Sequence, residues 1–192
     1  NAIVSLRDEA DLLEEARRAD AEPARGGALH GLPVAVKDLS NVAGLPTSKG
    51  SPALAGQIAA SDDLHVARMR AAGAIVIGKT NTPEFGLGSH TFNPVHGVTC
   101  NPYDKTRSCG GSSGGAAVAL AARMLSIADG SDMMGSLRNP AGWNNVYGMR
   151  PSWGLVPAEP AGDTFLHQLS TLGPMARDPG DLALLLGVMA GP

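Results

Sequence analysis

Leu6, Ala10, Leu13 and Ala16 recur at helical spacing with charged residues between them, and Ser5-Leu6-Arg7-Asp8 reads as a capping box. This pattern predicts an amphipathic helix over 6–20. After a Pro- and Gly-containing segment at 23–32, the period changes. Leu32-Pro33-Val34-Ala35-Val36 is a short apolar, β-branched run, the signature of a buried strand, and it delivers Lys37-Asp38 at its end. Residues 41–60 read as loop. Ser61-Asp62-Asp63 then supplies N-cap chemistry for a helix through Ala72, Gly73 suits its C-terminal end, and Ala74-Ile75-Val76-Ile77 is a second buried strand that stops at Gly78.

Residues 81–113 are rich in Asn, Pro, Gly, Ser and Thr without regular spacing, a long loop of the kind that often carries function. The small apolar residues of 114–124 predict a helix, followed by a strand at 125–128 and a second Gly-containing loop at 129–136. Asp178-Pro179-Gly180-Asp181 opens a last helix, with an N-cap acid and Pro at the first helical position, that stops at Gly191. Helices alternating with buried strands give an α/β fold. No internal repeat is evident.

The 192 residues include 15 Lys plus Arg against 18 Asp plus Glu, for a net charge of −3, and 43% are hydrophobic. That balance supplies enough apolar surface to fold and excludes intrinsic disorder. No run approaches the ~18 apolar residues of a membrane span, no signal peptide is visible, and no basic block marks a nucleic-acid or anionic-membrane surface. The expectation is a cytoplasmic protein acting on small molecules. The excess lies in 25 Gly and 14 Pro, which cluster rather than repeat and so point to backbone-defined loops.

Two of those loops carry candidate chemistry. Gly110-Gly111-Ser112-Ser113-Gly114-Gly115 opens a helix, where free N–H groups and the helix dipole suit an anion or a developing oxyanion. Neither the Walker A nor the Rossmann pattern is matched, and a close-packing loop is the plainer alternative. Gly130 through Pro140 places Ser136 after a Gly, a candidate nucleophile if a base can take its proton. His30, His65, His90, His96 and His167 sit in dissimilar contexts and read as surface or core histidines. Lys37 is the better candidate base, because desolvation at the end of a buried strand lowers a lysine's pKa, although a lone strand-terminal lysine is usually just a solvated charge. Cys100 and Cys109 have no zinc-ligand spacing and read as ordinary thiols.

Four ordered segments, Gly31 to Asp38, Gly78 to Phe85, Gly110 to Ala117 and Gly130 to Pro140, together with Gly148-Met149-Arg150-Pro151-Ser152 and Gly173-Pro174-Met175-Ala176-Arg177, resemble the amidase signature family. The resemblance implies a mixed β-sheet core covered by helices and a Ser, cis-Ser, Lys triad that maps to Ser136, Ser112 and Lys37. Ser113 is then a companion in the relay, and which of the two neighbouring serines passes the proton stays open. The backbone N–H groups of Met133, Met134, Gly135 and Ser136 would hold the oxyanion, with Asp132 and Arg138 in support. Two departures stand out: the family usually has Gly-Gly before the nucleophile where this chain has Met134-Gly135, and often Pro where it has Cys109, to which no catalytic role is given.

What the resemblance implies for function is hydrolysis of a carboxylic amide to an acid and ammonia or an amine through an acyl-enzyme. No metal or organic cofactor is expected, nor any direct nucleic-acid or membrane partner, and a homodimer is left open. Two alternatives stand beside it: the glutaminase subunit of a tRNA-dependent amidotransferase, and a noncatalytic Gly-loop binding module. Members of the family are longer, so residues 1–192 are expected to form one amidase signature domain lacking N-terminal helices and a C-terminal part, with weak or no turnover alone.

Overall fold

The computed structural model describes residues 1–22, 27–158 and 168–192. His167 and part of the segment at 23–32 lie outside them. The chain opens with a two-residue strand β1 (Ile3–Val4) and helix α1 (Glu9–Ala21). The helix therefore starts three residues later than the capping-box pattern predicts. Asp8, not Ser5, is the cap: its carboxylate accepts hydrogen bonds from the Ala10 and Asp11 N–H groups at 2.9 and 3.3 Å. Ser5 instead has φ of +48° and turns the chain between β1 and α1.

Strand β2 (Pro33–Lys37), helix α2 (Leu64–Ala71) and strand β3 (Ile75–Thr80) form the expected α/β unit, and the structure pairs β2 and β3 in parallel. The acids ahead of α2 do something other than cap it. Asp63 accepts the Asn41 N–H at 3.0 Å and Asp62 the Ala43 N–H at 2.7 Å, so both pin the start of the 41–60 loop. Strand β3 runs past Gly78 because β2 and β1 continue to pair with it, in registers Lys37↔Thr80 and Ile3↔Thr80. The polar segment 81–113 contains a short hairpin, β4 (Phe92–Asn93) with β5 (Gly97–Val98).

Helix α3 (Gly114–Ala121) is followed by β6 (Ile127–Asp132), α4 (Arg138–Trp143), β7 (Tyr147–Gly148), β8 (Thr171–Ala176) and α5 (Pro179–Met189). The Asp178 carboxylate caps α5 as expected, accepting from the Gly180 and Asp181 N–H groups. Strand β6 extends four residues beyond its predicted end at 128, because antiparallel β8 supplies partners through Asp132↔Thr171.

Three-stranded sheets β1-β3-β2 and β6-β8-β7 lie edge to edge, with β2 beside β6. Side-chain alternation along these strands feeds two cores. Val34, Val36, Val76 and Ile127 pack with Val66, Met69, Leu185 and Met189 of α2 and α5. Ala35, Ala128 and Met175 pack with α3 on the other face. A strand buried on both faces reads as a continuous apolar run, which is how β2 and β3 appear in the sequence. Seven of the eight residues of α3 are buried, and its small side chains let it sit tight: a Cβ at Gly115 would run into the backbone of Asn81 and Ala2. Among the described residues no helix is long and apolar enough to cross a membrane.

Candidate active site

Lys37 ends β2 with only 1% of its surface exposed. Its Nζ lies 2.7 Å from Ser112 Oγ, 2.8 Å from Ser113 Oγ and 3.0 Å from Ser131 Oγ. Among the described residues no carboxylate reaches it. Desolvation therefore dominates and lowers the amine from 10.5 to about 7, against the attraction of Asp129 and Asp132. Lys79, the neighbouring lysine on β3, is as deeply buried but differs in kind: it donates to Asp38 Oδ1 at 3.1 Å and to the Ser40 carbonyl at 2.7 Å. Burial lowers its affinity for the proton and the Asp38 carboxylate opposes that. One buried lysine is paired with a carboxylate; the other is ringed by hydroxyls.

The hydroxyl ring has a direction. Ser113 Oγ donates to the Ser131 carbonyl and accepts from the Ser131 N–H, both at 3.3 Å, so its proton is committed and it must accept from Lys37. Ser112 Oγ has Lys37 as its one partner among the described residues. A neutral amine has two protons to give and one lone pair; of the three hydroxyls only that of Ser113 has its proton committed, so Ser112 and Ser131, each with Lys37 as its one side-chain partner among the described residues, are the two able to donate to it. The Gly111–Ser112 peptide bond is cis, and a Cβ on Gly111 would press on the His90 backbone.

Ser136 sits half-buried on the turn between β6 and α4. Its carbonyl accepts the Ser113 N–H at 3.3 Å, which joins the two Gly-rich loops. Its hydroxyl makes no hydrogen bond among the described residues, so the structure brings Lys37, Ser112 and Ser113 together and joins Ser136 to them through its carbonyl, without a side-chain bond to Ser112. Catalytic hydrogen bonds commonly tighten only around substrate.

Asp132 shapes this turn. Its fully buried carboxylate accepts from the Gly135 N–H at 2.6 Å, the Leu137 N–H at 3.1 Å, Arg138 Nε at 3.0 Å and Arg150 Nη1 at 3.2 Å. Burial alone would raise its pKa; these donors outweigh it and hold the carboxyl well below the usual carboxylate range. Arg150 also donates to the Asp132 and Met133 carbonyls, both at 2.9 Å. One consequence corrects the expected oxyanion set: the Gly135 N–H is occupied by Asp132, leaving those of Met133, Met134 and Ser136 as the turn's free donors among the described residues. The Met134 departure carries no backbone strain, because the positive φ of the turn, +121°, falls on Gly135. Met134 is 89% exposed and Met133 45%.

The pattern-based reading gave no site role to Ser131, Asp129, His65 or Arg150, which the structure brings against Lys37, Asp129 or Asp132. An acid inside an apolar strand, Ile127-Ala128-Asp129, is the signal available for one of them. A cavity of about 600 Å³ opens on the Ser131 side, lined also by His65, Asn41, Lys49, Trp153 and Thr171. Both cysteines are free thiols, and burial pushes Cys109 up to about 11, which suits an inert packing role.

The Amidase family model matches residues 1–192. The chain is 44% identical over 196 aligned residues to an indoleacetamide hydrolase of Bradyrhizobium diazoefficiens, covering 98% of this chain and 37% of that protein. It is 43% identical to a glutamyl-tRNA(Gln) amidotransferase subunit of a Cyanothece species, covering 100% and 40%. Among solved structures, the native peptide amidase of Stenotrophomonas maltophilia superposes with a TM-score of 0.87 at 39% identity, covering 99% of this chain and 40% of that one. The chain thus spans about two fifths of the length of these relatives. A match along the whole chain, joined to the segments that build the lysine–serine site, shows that the chain belongs to the amidase family.

Proposed function

We propose that this chain carries the reacting centre of an amidase, with Ser136 as nucleophile, Ser112 as relay and Lys37 as base. The observation that carries the reading is a buried amine within 3.0 Å of three serine hydroxyls, held near neutrality by desolvation rather than paired with an acid. As Ser136 Oγ bonds to the amide carbon, its proton passes to Ser112, whose own proton passes to Lys37 Nζ. The developing oxyanion is held by the free N–H groups of Met133, Met134 and Ser136. The relay then reverses: Lys37 returns its proton through Ser112 to the leaving nitrogen, the C–N bond breaks, and ammonia or an amine departs. Water attacks the acyl-enzyme by the same path, releasing the acid and restoring Ser136. Preorganised donors of this kind are each worth about 2.7–4 kcal/mol in acyl transfer.

The apolar side chains of Met133 and Met134 beside the nucleophile favour a general amidase acting on an apolar amide. The similarity to an amidotransferase subunit keeps the glutaminase reading as the second one. Comparing ammonia release from glutamine with release from aryl and aliphatic amides separates them. In either case Lys37 must be neutral to accept a proton, so kcat/KM is expected to fall as pH drops through about 7 and to level off above it. A profile flat from about pH 5 to 9 would remove Lys37 from the role of base.

A further inference from the structure

At the backbone of Lys37 lies a second buried polar pair. Asp129 of β6 is 1% exposed; its Oδ1 accepts the Lys37 backbone N–H at 2.9 Å, and its Oδ2 faces His65 Nε2 of α2 at 3.3 Å. His65 is equally buried, and its Nδ1 has no hydrogen-bond partner among the described residues. The proton on Nε2 is the tautomer that leaves no buried donor unmet. No regular ladder joins β2 to β6, so this carboxylate is a tie between the edge of one sheet and the edge of the other, made at the residue that bears the amine.

We propose that Asp129, held from behind by His65, is a positioning residue for Lys37: it fixes the strand end that carries the amine and places a negative charge beside it. The inference rests on the reading of Lys37 as base. The charged groups around Lys37 are few and mostly compensated. On β6, Asp132 is met by Arg138 and Arg150. On β3, Lys79 is paired with Asp38, which also faces His96 at 3.7 Å. Ahead of α2, Asp63 is bonded to the Asn41 N–H. Among the described residues Asp129 has only the imidazole of His65 and one backbone N–H, and it is the stronger of the two acids acting on Lys37. A lysine buried among hydroxyls alone would be a weaker base; a carboxylate behind it returns part of the basicity that desolvation removes.

The test follows labelling of Ser136 by a fluorophosphonate as a function of pH in the intact protein. Asparagine keeps the shape of Asp129 and the contact to the Lys37 N–H through its carbonyl; its amide meets Nε2 only in the tautomer that puts the His65 proton on Nδ1, which has no partner among the described residues. Asp129→Asn is expected to move the labelling midpoint to lower pH by about one unit, the size of effect a nearby opposite charge exerts, and Asp129→Glu to restore it toward the parent value. His65→Leu should label more slowly, with rate recovered in His65→Gln, which still has an N–H to offer. Without any substitution, the Asp129 13Cγ resonance should step at the labelling midpoint. An unmoved midpoint in folded Asp129→Asn, a 13Cγ signal flat through that midpoint, or parent-like labelling by His65→Leu would overturn the proposal. Lys37→Ala separates the two levels: labelling that survives it defeats Lys37 as base, whereas labelling lost there with an unmoved Asp129→Asn midpoint defeats only the pair.

Discussion

Replacing Ser136 with alanine is expected to lower amide turnover by about 10⁴-fold or more while leaving the fold and its unfolding temperature close to those of the parent. The small structural effect follows from the site: the Ser136 hydroxyl makes no hydrogen bond among the described residues, and the contact that joins the two loops is made by its carbonyl, which alanine retains. Ser112→Ala should also be severe, because Ser112 is the proposed relay and its hydroxyl lies 2.7 Å from the amine with its proton uncommitted among the described residues. Ser113→Ala should combine a smaller kinetic loss with a stability loss, since its Oγ bonds both backbone groups of Ser131. Steady-state kinetics and thermal unfolding of the three variants check the ordering. A Ser136→Ala protein with parent turnover would remove the nucleophile.

The second large effect is on stability, and its sign is unusual. Lys37 binds its proton with a pKa of about 7 in the fold against 10.5 in an open chain. Between those values the unfolded state holds more protons than the native state, so stability rises with pH across that window. Burying this amine therefore costs stability at neutral pH. Lys37→Met, similar in length and without the amine, should be inactive yet gain in stability relative to the parent near pH 7. The difference between the two proteins should shift in favour of the parent with a slope approaching about 1.4 kcal/mol per pH unit between about pH 8 and 10. Lys79 is present in both proteins and cancels in the comparison. Denaturant unfolding at a series of pH values measures it. A pH-independent difference would mean that the Lys37 amine titrates at its ordinary value.

Parts of this arrangement are legible in the residues alone, and the rest is hidden for physical reasons. Strand β2 and its terminal lysine are visible because Val34-Ala35-Val36 is apolar on both faces and the charge follows at once. The cap of α5 is visible because Asp178-Pro179 can do little else. The extension of β6 is hidden: Asp129-Gly130-Ser131-Asp132 has turn composition, and only pairing with β8 makes it a strand. Strand β8 is hidden for the same reason, since Gly173-Pro174 reads as a breaker. There the glycine admits the Met149 carbonyl where a Cβ would not fit, and the Pro174 carbonyl accepts the Met149 N–H at 3.1 Å. At the site, the roles given to Lys37, Ser112 and Ser136 came from ordered segments and family resemblance. What those segments do not carry is the third dimension. Asp132 spends its carboxylate on the Gly135 N–H, and His65, 64 residues away in sequence, faces the acid that bonds to the Lys37 backbone.

The claim that a near-neutral Lys37 activates Ser136 is tested most directly by mass spectrometry of the protein after reaction with a fluorophosphonate near pH 8, with and without Lys37→Ala. A single adduct on the peptide that carries Ser136, lost in Lys37→Ala, is the predicted result. An adduct on another residue, or equal labelling of Ser136 without the lysine, would contradict it.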